Sequence, residues 1–161
     1  MKTAIIYATK HGTTEKVAGM IAEKLKNSNE VELFSLNKNA NPDISEFEMI
    51  ILGTSIYAGS ASKKMKRFCQ TNEQVLLQKK LGLLVCGMEP TKEKQDQELN
   101  DAYPEILHKN AAATGFMGGA FLFEKMNFFE RFIIKKIAKT ATSVHQIDEN
   151  AMDEFVKKLQ N

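Results

Sequence analysis

Apolar positions along the chain fall into two kinds of run that alternate from one end to the other. Residues 2–8 form a short apolar stretch suited to a buried strand, and residues 15–25 place Val17, Ala18, Ile21, Ala22 and Leu25 on one face at helical spacing. Residues 30–35 alternate polar and apolar, which predicts a half-exposed strand near a sheet edge, and the polar stretch 37–43 with Pro42 is a loop. Residues 48–54 carry Met49, Ile50, Ile51 and Leu52 ahead of Gly53, a continuous run that predicts a strand covered on both faces in the middle of the sheet. A helix over 63–77 turns Met65, Phe68 and Leu76 inward, and residues 81–86 repeat the buried-strand pattern. Residues 92–108 are expected to form a polar helix containing Pro104, and 114–122 a strand with Gly115, Gly118 and Gly119. A last helix over 148–159 presents Ala151, Met152, Phe155, Val156 and Leu159 to the core.

Five strands joined by crossover helices predict an α/β fold of three layers, a doubly wound five-stranded parallel sheet between helices. The 161 residues suit one domain, 1–161, with no internal repeat, and a chain of that length buries about 70% of its unfolded surface. In such a sheet a ligand sits beyond the carboxyl ends of the strands, where the strand order switches. Three loops, 9–14, 54–60 and 86–91, are expected to meet there.

The first loop, Thr9-Lys10-His11-Gly12-Thr13-Thr14, brings three hydroxyls and several backbone N–H groups to the start of a helix, where unpaired donors and the positive dipole end favour a monoester phosphate. The alternative is that Thr13 or Thr14 simply caps the helix. A dinucleotide site would want Gly-x-Gly-x-x-Gly and a nucleotide triphosphatase Gly-Lys-Ser/Thr; the turn carries neither. A phosphoacceptor domain would need carboxylates where Thr9, Thr54 and Ser55 stand. In the second loop, Thr54, Ser55, Ile56, Tyr57, Ala58 and Gly59 combine an aromatic able to lie against a planar heterocycle with a glycine that lets backbone approach a ring edge. An ordinary surface aromatic is the other reading of Tyr57. Cys86, Gly87 and Met88 open the third loop and are placed to complete a ring pocket, unless they form an ordinary turn.

Composition changes this picture little. A formal charge of +2 gives no case for nucleic acid. Cys69 and Cys86 make no metal-binding spacing, and a strand beginning by Lys2 leaves no room for a secretory signal, which points to the cytoplasm. No apolar run approaches the ~20 residues of a membrane span, so any membrane contact is expected to be peripheral.

The first loop resembles the T/S-x-T-G-x-T phosphate loop of the flavodoxin superfamily, with His11 in place of the central hydroxyl. The resemblance covers nearly the whole chain and implies FMN, with its ring between the second and third loops. Two further stretches, residues 53–59 and residues 118–123 running into 131–139, resemble the menaquinone-dependent protoporphyrinogen dehydrogenase family, whose members carry an inserted segment in the last strand at the place of residues 123–140 here. That likeness implies an FMN-dependent oxidoreductase with a redox partner or quinone. A one-electron flavodoxin carrier and a flavin-free interaction module are the competing classes; carriers are usually acidic, whereas this chain has a pI of about 8.4. The chain offers no identifiable catalytic acid, base or nucleophile.

Residues 121–139 hold Phe121, Phe123, Phe128, Phe129 and Phe132, with Phe129, Phe132, Ile133 and Ile137 at helical spacing and Phe128 and Ile134 off that stripe. Five cations against two carboxylates leave the segment at +3. Apolar excess with positive charge suits peripheral contact with an anionic membrane, where a quinone resides, or a docking partner. Packing within the domain or against another subunit is the alternative.

Overall fold

The computed structural model describes residues 1–121, Phe132 and residues 144–161. A parallel sheet runs in the order β2-β1-β3-β5-β6, formed by β1 (Lys2–Ala8), β2 (Glu30–Ser35), β3 (Met49–Tyr57), β5 (Lys80–Cys86) and β6 (Ala111–Phe116). A two-residue strand β4 (Ser60–Ala61) folds back antiparallel on β3. The chain passes from β1 outward to β2 and then returns to β3 on the other side, so the order switches between β1 and β3. The loops leaving their carboxyl ends diverge there and leave a crevice.

Neighbouring residues in a strand point to opposite faces, and the apolar runs are continuous because both faces are covered. Ile6, Ile50, Leu52 and Leu83 pack with Met65 and Phe68 of α2 (Lys63–Leu76), Leu99 of α3 (Lys92–Ala102) and Leu107 of α4 (Glu105–Asn110). Ile5, Ile51 and Leu84 face the other way, toward Val17 and Ile21 of α1 (Thr13–Leu25) and Phe155 and Leu159 of α5 (Glu149–Gln160). As expected, β3 lies mid-sheet and β2 at an edge, where Leu33 stays exposed.

Three expectations need correction. The helix over 92–108 is two helices, because Tyr103 ahead of Pro104 takes an extended backbone, the conformation that a following proline favours. The break is used: Tyr103 is buried and the single proton of its hydroxyl is shared between the carbonyls of Leu84 (2.6 Å) and Leu52 (3.0 Å), which ties it to two strands. The strand over 48–54 continues to Tyr57 and forms the β3–β4 hairpin, so much of the second loop is strand. The strand over 114–122 starts earlier and is split. After β6, the Met117 N–H donates to the Val85 carbonyl (2.8 Å), and Gly118 then turns the chain away with φ 67°. Strand β7 (Gly118–Phe121) leaves the main sheet to pair antiparallel with β8 (Val144–Ile147).

Gly118 is under two constraints at once, since its φ is left-handed and an added Cβ would lie 1.9 Å from the Gln146 carbonyl oxygen. Gly118→Ala should lower the unfolding free energy by about 3 kcal/mol. By contrast, Gly19→Ala in α1, where an added Cβ meets nothing within 4 Å, should raise it by about 0.5–1 kcal/mol. Urea denaturation of both variants checks the pair of signs.

Candidate functional site

Gly12 makes the turn between β1 and α1. Its φ of 92° reverses the chain, its N–H donates to Thr9 Oγ1 (2.9 Å), and it caps α1 without any side-chain hydrogen bond. Thr13 and Thr14 therefore lie inside the helix, and neither caps it. The first-turn N–H groups of α1 keep no side-chain acceptor, unlike those of α2 and α5, which Ser62 and Asp148 cap. Thr14 is fully buried, and the polar group its hydroxyl meets is the Cys86 thiol. Glu15, the acid of that first turn, accepts from the Tyr7 hydroxyl (3.0 Å).

The second loop is a tight hairpin. Ala58 (φ 49°) and Gly59 (φ 75°) are both left-handed, the pairing a two-residue turn of primed type needs. A Cβ on Gly59 would meet nothing within 4 Å, so conformation and not crowding selects glycine there. Thr54 is buried, and its hydroxyl accepts from the Ser62 N–H (3.2 Å), fastening the start of α2 to β3. Tyr57 is half-buried rather than an ordinary surface aromatic: the Lys10 ammonium sits 3.7 Å from its ring centroid, and the His11 ring meets it at 6.1 Å and 63°. The first and second loops are thus in direct contact.

Between them opens a cleft of about 420 Å³. Thr9, Lys10, Ser55 and Tyr57 line it, as do Asn37 and Lys64. Asn37, at the exit of β2, was not singled out by the sequence, although any residue just past a parallel strand reaches this edge. Its amide donates to the Thr9 carbonyl (2.6 Å), and its Oδ1 accepts from Lys64 Nζ (3.2 Å).

The third loop contributes differently from expectation. Cys86 and Gly87 are buried and Met88 is half-buried; none of the three lines the cleft. The Gly87 N–H donates to the Gly118 carbonyl (2.9 Å), and Gly119 backs onto Gly87 so closely that an added Cβ would lie 2.9 Å from the Gly87 oxygen. On the other side of the loop stands Glu98 of α3, also unforeseen. Its Oε2 is buried without a partner among the described residues, and burial, then the nearby Glu89, hold its carboxyl above the usual range. Residues 123–139 lie outside the described residues except Phe132, which is 58% exposed. No helix among the described residues is long and apolar enough to cross a membrane.

A flavodoxin-domain family model matches residues 4–158. The chain belongs to the flavodoxin-domain family. It is 37% identical to a flavodoxin of Clostridium saccharobutylicum over 84 residues, which is 51% of this chain and spans about half (52%) of that relative. It is 20% identical over 144 residues to the protoporphyrinogen IX dehydrogenase [quinone] of Escherichia coli K12, covering 86% of this chain and 80% of that enzyme. Among solved structures, a short-chain flavodoxin associated with a bacterial microcompartment superposes with a TM-score of 0.62 at 14% identity, over 99% of this chain and 97% of the other, a likeness of fold. This flavodoxin-like protein is thus a member of a family whose members bind FMN.

Burial pushes the thiols of Cys69 and Cys86 up to about 12. The folded state therefore favours the neutral thiol. The stability this gives is complete below the unfolded thiol value of about 8.5 and is lost as pH rises from there toward 12. Unfolding free energy should fall across that window, and the fall should be shallower in Cys69→Ala/Cys86→Ala. Both thiols should also resist iodoacetamide at pH 8 until denaturant is added.

Proposed function

We propose that this flavodoxin-like protein is an FMN-dependent oxidoreductase that dehydrogenates a porphyrinogen-like donor and passes the electrons to a quinone. The observation that carries the reading is the departure of the chain from the sheet after β6. Strands β7 and β8 bracket residues 122–143, the place at which the protoporphyrinogen dehydrogenase family has its inserted segment. Similarity to the Escherichia coli dehydrogenase extends over most of both chains and supports the same reading.

The first turn suits the FMN phosphate. Thr14 offers a buried hydroxyl whose neighbour is only the weakly bonding Cys86 thiol, and the start of α1 offers N–H groups that the N-cap residue leaves uncapped. In this reading Thr9, Lys10, His11, Gly12, Thr13 and Thr14 hold the phosphate, Ser55, Ile56, Tyr57, Ala58 and Gly59 meet the ring, and Met88 lies at its other side. Thr54, Cys86 and Gly87 support these loops from within. Bound there, FMN would supply the acceptance and onward transfer of electrons, in steps of one or two. Residues 121–139 are assigned to the contact with the membrane in which the quinone resides.

A second reading, a one-electron carrier, is favoured by the 37% identity to the Clostridium flavodoxin. Two measurements decide. Reconstituted protein should bind FMN more tightly than riboflavin, and Thr14→Val, which keeps the side-chain volume, should weaken FMN by about 1.5–3 kcal/mol while leaving riboflavin unchanged. Equal affinity for both flavins would remove the phosphate site. The loaded protein should oxidise protoporphyrinogen anaerobically only when menaquinone is supplied, faster in anionic vesicles than in neutral ones. Electron exchange with redox proteins but no porphyrinogen-dependent quinone reduction would make it a carrier.

A further inference from the structure

We infer that Lys63 and Lys64, at the start of α2, recognise the carboxylates of the electron donor, so that the flavin cleft takes a tetrapyrrole bearing two anionic side chains and discriminates against its neutral analogues. The inference rests on the porphyrinogen reading and names the feature of that donor which the chain selects. The cleft has two walls of unlike chemistry. Thr9 and the first turn stand on one side, and Ser60, Ser62, Lys63 and Lys64, where the β3–β4 hairpin runs into α2, form the other. Among the described residues no carboxylate lines the cleft, and α2 carries no acid before Glu73.

Lys63 and Lys64 are both exposed, and among the described residues no carboxylate pairs with either. Lys64 is nevertheless held in place. Its Nζ donates to Asn37 Oδ1 at 3.2 Å, and the Asn37 amide is anchored on the Thr9 carbonyl at 2.6 Å. A neutral acceptor orients the ammonium without cancelling its charge, and an ammonium has three protons to give. Successive helix positions lie about 100° apart, so Lys64 leaves α2 toward Asn37 while Lys63 leaves it on the face shared with Lys66 and Arg67, three and four residues on and also exposed. Two separate carboxylates on one molecule suit two such cations better than one phosphate does. The flavin's own phosphate has its donors at the start of α1, and Gly12, Thr13 and Thr14 do not line the cleft. The propionates of a porphyrinogen are the anionic groups that the second molecule brings to the α2 wall. A quinone is neutral and offers these lysines nothing, so the same pair distinguishes donor from acceptor.

Protoporphyrin, the oxidised and fluorescent form of such a donor, keeps both propionates and serves as the probe. Titrated into the FMN-loaded protein in neutral detergent at low salt, the diacid should bind roughly tenfold more tightly than its dimethyl ester, and the advantage should shrink as salt rises. Lys63→Gln/Lys64→Gln should bring the diacid down to the affinity of the ester while FMN affinity stays within about twofold. Lys63→Arg/Lys64→Arg, which keeps both cations, should retain the preference for the diacid. Equal binding of diacid and ester by the wild type overturns the inference, and so does a preference for the diacid that survives the glutamine variant. A glutamine variant that loses FMN as much as it loses the diacid also overturns it, since the lysines would then be cofactor contacts. Each of these results leaves the porphyrinogen reading standing. If the FMN-loaded protein binds neither porphyrin, that reading fails and takes the inference with it.

Discussion

The site depends on one short bond, from the Gly12 N–H to Thr9 Oγ1 at 2.9 Å. It closes a turn that only a left-handed residue completes, and it brings α1 back onto the sheet with its first N–H groups turned outward and uncapped by any side chain. The fold then holds this turn from two further directions. Asn37 reaches from the exit of β2 to the Thr9 carbonyl, and Lys64 reaches from α2 to Asn37. Because α2 is itself tied to β3 through Ser62 and Thr54, four elements share hydrogen bonds at the carboxyl edge.

Most of the sheet was legible in the sequence for a simple reason. In β1, β3 and β5 both faces are covered, so Ile5 and Ile6, Ile50 and Ile51, Leu83 and Leu84 are all apolar, and such runs have few other uses in a chain this short. What was not legible depends on distant partners. Residues 114–122 look like one strand because Phe116 and Met117 are apolar with no breaker but glycine among them; the break appears only when Gly118 meets the Gln146 backbone, almost thirty residues away. The split between α3 and α4 had a local signal in Pro104, but the reason it is sharp is the buried bond from Tyr103 to two strand carbonyls.

The site was read unevenly for a related reason. Thr9 and Lys10 follow β1 directly, Ser55 and Tyr57 lie near the end of β3, and topology brings them together at the cleft. Thr54, within β3, and Cys86, the last residue of β5, point inward instead, Thr54 to the α2 start and Cys86 into the core beside α1 and α5. Strand-end position selects an edge of the sheet but not a face, and side-chain polarity does not resolve the face when a threonine finds a backbone partner inside. Asn37 and Glu98 escaped notice because nothing in their neighbourhoods distinguishes them from solvated loop and helix residues; their roles come from what packs opposite.

The third loop is coupled to the chain beyond β6 more tightly than to the cleft. Gly87 donates to the Gly118 carbonyl, and Gly119 lies against the Gly87 backbone with no space for a methyl group between them. Asp148, at the base of the β7–β8 pair, donates its N–H to the Met117 carbonyl (2.9 Å) and caps α5 through its carboxylate. The two strands that bracket residues 122–143 are therefore fastened at their base to the main sheet, to the core helix α5 and to the third loop at once. A backbone shift there cannot be absorbed by a side-chain rotation, because the contact is glycine on glycine.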